Sequence, residues 1–394
     1  MSTFAAVTTG KGIGAIAVIQ VFGDSAESIV KKIFSPAGEK PPIFKPGKIL
    51  LGAVSDGAET IDQVTIGCEG PGHLAINCHG NPLIVACLMQ LLHSNGAALL
   101  TAEELLTKIF SMEKLPNTIA LEAKLTQLQA KTVQGAKIIV NQVDAGLTKK
   151  IAQWLRNINT LPLKQIKADT EQILKDTQTA KLIIFGCTIV LSGPPNTGKS
   201  TLLNFLAGRQ KAIVTDIKGT TRDWVSAQCQ VGPLSVELID TAGLDEKLTL
   251  APEDTVEKAS QQKTVEILDK ADLVLLILDN SQINNSLDEQ VLEKIAEKRF
   301  ITVLNKCDLP AGFNADKLPK TLANTVKISA KFGTGIENLL KKIQHLCGVT
   351  GFDLKTAVCF TPRQENLLKQ LQKAKSTQQA LSIITELLNA PLSV

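Results

Sequence analysis

The chain has 394 residues, 44% of them hydrophobic, which suffices for two or three domains, each with its own buried core. Its 42 basic and 38 acidic residues leave a formal charge of +4, too slight to argue for a nucleic-acid partner by itself. The longest apolar runs, such as residues 273–278, fall far short of the ~18–20 residues that cross a bilayer, and the start MSTFAAVTTGKG lacks the charge-then-apolar pattern of a secretory signal, so no membrane partner and a cytoplasmic location are expected.

In chain order, residues 13–22, IGAIAVIQVF, are rich in Ile and Val and read as a strand, followed after the Gly23-Asp24 turn by a helix-like SAESIVKKIF. Residues 48–54, 61–68 and 73–78 read as further strands between Gly, Asp and Pro turn signals, and residues 82–93 as a helix. Residues 1–100 are therefore expected to form an α+β domain. From 102 to about 179 apolar residues recur at three-to-four spacing, as in LEAKLTQLQAKTVQGAKIIVNQV, which predicts helices. Residues 113–181 carry 11 Lys or Arg against 6 Asp or Glu, but these are spread along the segment, as on solvated helix faces, rather than clustered as phosphate binding requires. Between 181 and 346 strands and helices alternate in the order of a parallel sheet with helices on both faces, and residues 363–388 are helical again. The expected fold class is an α/β P-loop domain (181–346) inserted into an α-helical domain (101–180 and 347–394), preceded by the α+β domain. Eight cysteines, at 68, 78, 87, 187, 229, 307, 347 and 359, form no Cys-x-x-Cys pair and are expected to be buried free thiols.

The chemistry is concentrated in the α/β block. Residues 182–192, LIIFGCTIVLS, read as an apolar strand region running into Gly193-Pro-Pro-Asn-Thr-Gly-Lys-Ser200 and then a helix-like TLLNFLAGR. Phosphate oxygens need many donors at close range; glycines let backbone N–H groups approach, and a helix N-terminus adds the positive end of its dipole. Gly193, Asn196, Thr197, Gly198, Lys199, Ser200 and Thr201 are thus the candidate phosphate-binding residues. Lys199 is expected to reach the β- and γ-phosphates and Ser200 to ligate Mg²⁺. A strand at 236–239 leads to Asp240-Thr-Ala-Gly243, where the carboxylate can hold Mg²⁺ through water and Gly243 can turn its N–H to the γ-phosphate.

Apolar strands at 273–278 and 301–304 follow, the second running into Asn305-Lys306-Cys307-Asp308. Guanine presents two adjacent donors, N1–H and the N2 amino group, which the Asp308 carboxylate can accept together; adenine offers no such pair. Asn305 is expected to face N7 and neighbouring loops, and Ser329-Ala330 to offer a backbone N–H to the guanine carbonyl. The four motifs in this order predict GTP binding. Leu244 occupies the position where many GTPases carry a water-orienting glutamine, so either another group supplies polarity for hydrolysis or the domain is a poor hydrolase. The polar loop 215–223, TDIKGTTRD, is suited to fold over the γ-phosphate.

GPPNTGKSTLLN, AIVTDIKGTTRDW, LIDTAGL, VLNKCDLP and KISA, together with GIGAIAVIQVFG and CHGNPLIVACLMQLL near the start, resemble the MnmE (TrmE) family, bacterial and organellar GTPases that modify the wobble uridine of certain tRNAs. The resemblance covers nearly the whole chain. It implies a GTP hydrolase stimulated by potassium, a homodimer, an N-terminal domain that binds a tetrahydrofolate derivative and forms the dimer, and an MnmG-type flavoprotein and tRNA as partners. It also implies that Asn196, with Thr215, Ile217 and Thr220 on the covering loop, holds K⁺ in place of an arginine finger. Thr220 or Thr221 then completes the Mg²⁺ and water shell begun by Ser200 and Asp240, and Glu257, in the segment DTVEK, activates the attacking water, the alternative for Glu257 being a solvated helix face. Lys199, Thr220, Thr221 and Glu257 form the implied catalytic set.

The sequence departs from the family pattern in two places. Where members carry an Arg-Pro-Gly-Glu-Phe-like segment it has LLTAEELLTKIFSMEKLPN, and where they end in Cys-x-Gly-Lys it has Ala-Pro-Leu-Ser-Val394, so the second helical part reads as shortened. Two functions follow: an active GTPase of tRNA wobble-uridine modification, or a divergent GTPase switch that dimerises with nucleotide but has lost the modification.

Overall fold

The computed structural model describes residues 2–10, 14–38, 40–112, 117–208, 225–240, 266–283, 289–314, 322 and 324–389. They fall into two compact units, Met1–Leu121 and Glu122–Ala390. Thr215, Ile217, Thr220, Thr221, Gly243, Leu244 and Glu257 lie outside the described residues.

The first unit runs β1 (Phe4–Val7), β2 (Ile16–Phe22), α1 (Ala26–Ile33), β3 (Phe34–Pro36), β4 (Ile49–Asp56), β5 (Glu59–Gly70), β6 (His73–His79), α2 (Pro82–Ser94), β7 (Ala98–Leu99) and α3 (Ala102–Met112). Side chains of a strand alternate between faces, and β2 accordingly buries Ala17, Ile19 and Val21, and β5 Val64, Ile66 and Cys68. These meet Ile29, Val30 and Ile33 of α1 and Leu88, Leu91 and Leu92 of α2 in one core. The sheet order is β3-β4-β5-β6-β2-β1-β7, antiparallel except for the β1–β7 pair. Expected strands 48–54, 61–68 and 73–78 fall on β4, β5 and β6, while β1, β3 and β7 are too short to stand out from the sequence. Helix α2 buries only the stripe containing Leu88, Leu91 and Leu92, so Cys87 on its other side is exposed; Cys307, in the turn after Asn305, is half-buried, and the other six thiols are inside, so the expectation of buried cysteines is corrected at these two positions.

Helix α4 (Thr118–Gln127) is followed in the second unit by α5 (Val133–Asp144), α6 (Leu147–Arg156) and α7 (Leu163–Phe185). Beyond the sheet come α11 (Pro362–Lys373), which packs on α7, and α12 (Thr377–Asn389), which packs on α6. Buried polar groups tie these distant segments. Gln142, fully buried, accepts from Leu147 N and Val358 N and donates to Ile138 O and Thr356 O, satisfying its amide on four sides. Glu122 takes a bidentate pair from Arg363, at 2.8 Å for each oxygen, plus Thr361 Oγ1 and Gln364 Nε2.

The sheet of this unit comprises β8 (Cys187–Ser192), β9 (Val225–Val231), β10 (Leu234–Asp240), β11 (Leu273–Asp279), β12 (Phe300–Asn305) and β13 (Thr325–Lys327), with α8 (Lys199–Gly208), α9 (Glu289–Ala296) and α10 (Ile336–Leu346). Its order is β13-β12-β11-β8-β10-β9. Five strands are parallel, as expected, but β9 pairs antiparallel with β10 through a tight turn whose Gly232 has φ 59°. A second correction concerns 182–192. The run Leu-Ile-Ile-Phe is the last turn of α7, and the strand begins only at Cys187. Gly186 ends the helix at φ 91°, where a Cβ would stand 2.8 Å from Ser235 O. The parallel strands bring their C-terminal ends, Ser192, Asp240, Asp279 and Asn305, to one edge of the sheet, where open α/β folds bind ligands.

Candidate functional site

β8 ends at Ser192, and the chain turns through residues 193–198 into α8. Gly193 has φ 138°, and a Cβ there would lie 2.2 Å from Ile277 O, so the turn requires glycine. Gly198, at φ 93°, leaves room that a Cβ would take 2.3 Å from Asn305 Nδ2. Asn196 is one of two non-glycine described residues with positive φ, at 60°, and is exposed. Thr197 is buried, its hydroxyl donating to Pro194 O at 2.9 Å. Helix α8 begins at Lys199, so its first-turn amides, which have no intrahelical acceptor, face the loop. The Lys199 ammonium is buried there and donates to Gly193 O and Pro194 O, both at 2.8 Å, which concentrates positive charge inside the loop. Thr201, the next residue but one, is exposed.

Two expected Mg²⁺ ligands meet. Ser200 Oγ donates to Asp240 Oδ2 at 2.6 Å, with Asp240 buried at the end of β10 and Ser200 exposed. A hydroxyl and a carboxylate are hard oxygen donors of the kind Mg²⁺ takes.

Asn305 links the phosphate loop to the base-side loops. Buried at the end of β12, it donates from Nδ2 to Thr197 O at 2.8 Å and accepts at Oδ1 from Ala330 N at 2.9 Å. Of the Ser329-Ala330 segment expected to offer a backbone N–H to the guanine carbonyl, the Ala330 amide is here given to Asn305. Ser329, also buried, accepts at its hydroxyl from Phe332 N at 3.3 Å and pairs through its backbone with Thr334. Asp308 is exposed, two residues beyond Lys306, whose φ of 63° costs an L-residue ~1–2 kcal/mol.

Sequence reasoning missed Asp279. It closes β11, all seven residues of which are buried, and Lys306 Nζ lies 2.6 Å from its Oδ2. Burial raises the Asp279 carboxyl, but hydrogen bonds from Lys306 and Ser281 outweigh it and hold the pKa below the usual carboxylate value. The available signal was a lone carboxylate at the end of an otherwise apolar strand, LVLLILD.

In the first unit, His79 Nδ1 lies 2.7 Å from the buried Asp62 carboxylate, which also accepts from His79 N at 2.8 Å. Gly14 and Gly80 approach closely beside it, a Cβ on Gly80 reaching 2.3 Å from Gly14 O. Among the described residues no group of His, Cys, Asp and Glu is placed to hold a metal ion, and no helix is long and apolar enough to cross a membrane.

Comparison with known proteins agrees with this geometry. Residues 188–306 match the family model described as 50S ribosome-binding GTPase, and residues 3–114 that of the GTP-binding protein TrmE N-terminus. The tRNA modification GTPase MnmE of Clostridioides difficile is 30% identical over 379 residues, 87% of this chain and 81% of that protein. The Thermotoga petrophila counterpart is 31% identical over 376 residues, 87% and 82% respectively, and that of Aquifex aeolicus 30% over 401 residues, 93% and 87%.

Proposed function

The chain belongs to the MnmE family of tRNA modification GTPases and is a GTP-binding GTP hydrolase, and from that premise we propose that it couples GTP hydrolysis to modification of the tRNA wobble uridine in the cytoplasm. The nucleotide half of this reading is carried by the assembly of Ser200 on Asp240, and of Thr197 and Ala330 on Asn305, at one edge of the parallel sheet, and the tRNA half by membership of the family.

The roles follow from the chemistry of each group. The loop from Gly193 to Ser200, with Thr201 behind it, receives the phosphates on backbone amides. Lys199 leaves the loop carbonyls for the β- and γ-phosphate oxygens, exchanging dipoles for full charges. Ser200, Asp240 and Thr221 are the residues that would hold Mg²⁺, which neutralises charge on the phosphates. Asp308 accepts both guanine donors, and Asn305 holds the two loops that enclose the nucleotide. Asn196, already turned outward at φ 60°, with Thr215, Ile217 and Thr220, is the proposed K⁺ ligand set, and Gly243 and Glu257 the proposed partners of the γ-phosphate and attacking water.

We assign the first unit through α3 to a domain that dimerises and takes a tetrahydrofolate derivative, the helices from α4 to α7 with 347–394 to a helical domain, and 181–346 to the G domain set into it; the expected boundary at residue 100 moves past α3, because Leu105 and Ile109 pack with Ala6 of β1. Contacts of α11 with α7 and of α12 with α6 support that division. In the first unit Gln20 Oε1 is buried without a hydrogen-bond partner among the described residues, an acceptor suited to an N–H donor of a pterin ring.

Reconstitution tests the whole reading. Purified protein, the MnmG-type flavoprotein of the same organism, tRNA, GTP and a one-carbon tetrahydrofolate should yield modified wobble uridine on nucleoside analysis; GTP turnover with unmodified tRNA would overturn it.

A further inference from the structure

The Asp279 carboxylate is 2% exposed, and such a group must be paired to remain charged. Lys306 supplies the charge at 2.6 Å from Oδ2, and Ser281 donates to Oδ1 from its backbone N at 2.9 Å and from Oγ at 2.6 Å. The same strand end is fixed by Asn280, whose N donates to Asn305 O and whose O accepts from Gly312 N and Phe313 N. Asp279 is thus a rigid anion beside the base-side loop. Lys306 reaches it from an unfavourable backbone at φ 63°, its side chain 32% exposed. A strained backbone and an ammonium drawn inward are both accounted for if the position of the charge matters.

Its importance lies two residues along. The exposed Asp308 carboxylate is the group that reads guanine, and a lysine ammonium without a buried partner would be its nearest rival for that carboxylate in sequence. We propose that Asp279 is a specificity-determining positioning residue: by holding Lys306 inward, it keeps both Asp308 oxygens open to the two guanine donors. The proposal rests on the reading of Asp308 as the guanine acceptor. Asp279 acts through Lys306 and touches no nucleotide itself.

Inosine nucleotides lack the N2 amino group, so the ratio of GDP to IDP affinity reports how completely Asp308 is available. Dissociation constants of the full chain for GDP, IDP and XDP, with thermal unfolding as a control, distinguish the outcomes. Wild type should favour GDP over IDP by about tenfold or more, the worth of a hydrogen bond to a charged acceptor. Asp279→Asn should bring that preference down to about threefold, because the released ammonium occupies one Asp308 oxygen. Asp279→Glu, which keeps the charge, should retain most of the preference. The pair Asp279→Asn with Lys306→Met keeps the stem and removes the rival, and should recover the preference lost in the single variant even if the single variant is poorly stable. Equal losses for GDP and IDP in Asp279→Asn, with a lowered Tm, would reduce Asp279 to a structural residue and overturn the proposal. So would a double variant with a ratio no higher than the single one. Asp308→Asn should bind XDP better than GDP. Failure of that exchange overturns the Asp308 reading and the proposal with it, whereas the exchange together with an unchanged ratio in Asp279→Asn overturns the proposal alone.

Discussion

Replacing Asn305 by Ala removes the group that spans the phosphate loop and the base-side loop. Two buried backbone groups lose their partners, the Thr197 carbonyl and the Ala330 amide, in residues that are 2% and 3% exposed. An unsatisfied buried polar group costs ~1–3 kcal/mol, so the pair represents ~2–6 kcal/mol. Water entering an open cleft recovers part of that in the nucleotide-free protein, but bound nucleotide excludes it. The loss therefore falls mainly on binding. Even the lower limit of ~2 kcal/mol corresponds to ~30-fold in affinity. Titration with a fluorescent GDP analogue should show Kd raised by about 30-fold or more, while Tm falls by only a few degrees. Gly198→Ala should act in the same direction, since its Cβ would lie 2.3 Å from Asn305 Nδ2. An Asn305→Ala protein that binds GDP within about twofold of wild type would refute the reasoning that the bridge holds the nucleotide site together.

Three further predictions follow from the same geometry. Ser200→Ala removes the hydroxyl that lies 2.6 Å from Asp240, and should raise the Mg²⁺ concentration needed for half-maximal GTP hydrolysis and lower the rate by about tenfold or more; an unchanged Mg²⁺ titration contradicts this role. Hydrolysis should be faster in K⁺ than in Na⁺, and Asn196→Ala should remove the difference, so equal rates in the two salts for wild type would leave Asn196 as a loop residue only. Burial raises the Asp169 carboxyl, but hydrogen bonds from Lys150, Trp154 and Gln165 lower it further, so its folded pKa lies below the unfolded value of about 3.9. Its contribution to stability is therefore present above that unfolded value and lost as pH falls through the folded one. Chemical denaturation should show Asp169→Asn less stable than wild type at neutral pH, with the gap closing in acid, whereas a gap independent of pH would exclude the charge as its cause.

The nucleotide motifs were legible because phosphate binding is a local problem: strand, glycine turn and helix N-terminus follow one another within residues 187–208. The proposed role of Asp308 rests on the donor pattern of guanine, to which the structure adds that Asp308 is exposed. Asp279 was not legible, because its partner Lys306 lies 27 residues further on and only the pairing of β11 with β12 brings them together. The early end of the expected strand 182–192 failed for another reason. Leu-Ile-Ile-Phe suits the last turn of a buried helix as well as a strand, and the decision rests on Gly186 and its approach to Ser235. The antiparallel β9 was missed because VSAQCQV is mostly polar and buries only Cys229 and Val231, a far weaker strand signal than the continuous apolar run of β11. In the first unit, nothing local in the sequence joins Asp62 to His79, which meet across β5 and β6.

The central claim is that this sheet edge binds and hydrolyses GTP by reading guanine through Asp308. Hydrolysis of GTP and XTP by wild type and by Asp308→Asn, at subsaturating nucleotide, tests it most directly. Xanthine presents a carbonyl where guanine has its N2 amino group, and an asparagine amide can donate to it where a carboxylate cannot. Wild type should hydrolyse GTP and leave XTP nearly untouched, and Asp308→Asn should reverse that order. A variant that still prefers GTP, or a wild type that hydrolyses the two alike, would contradict the account.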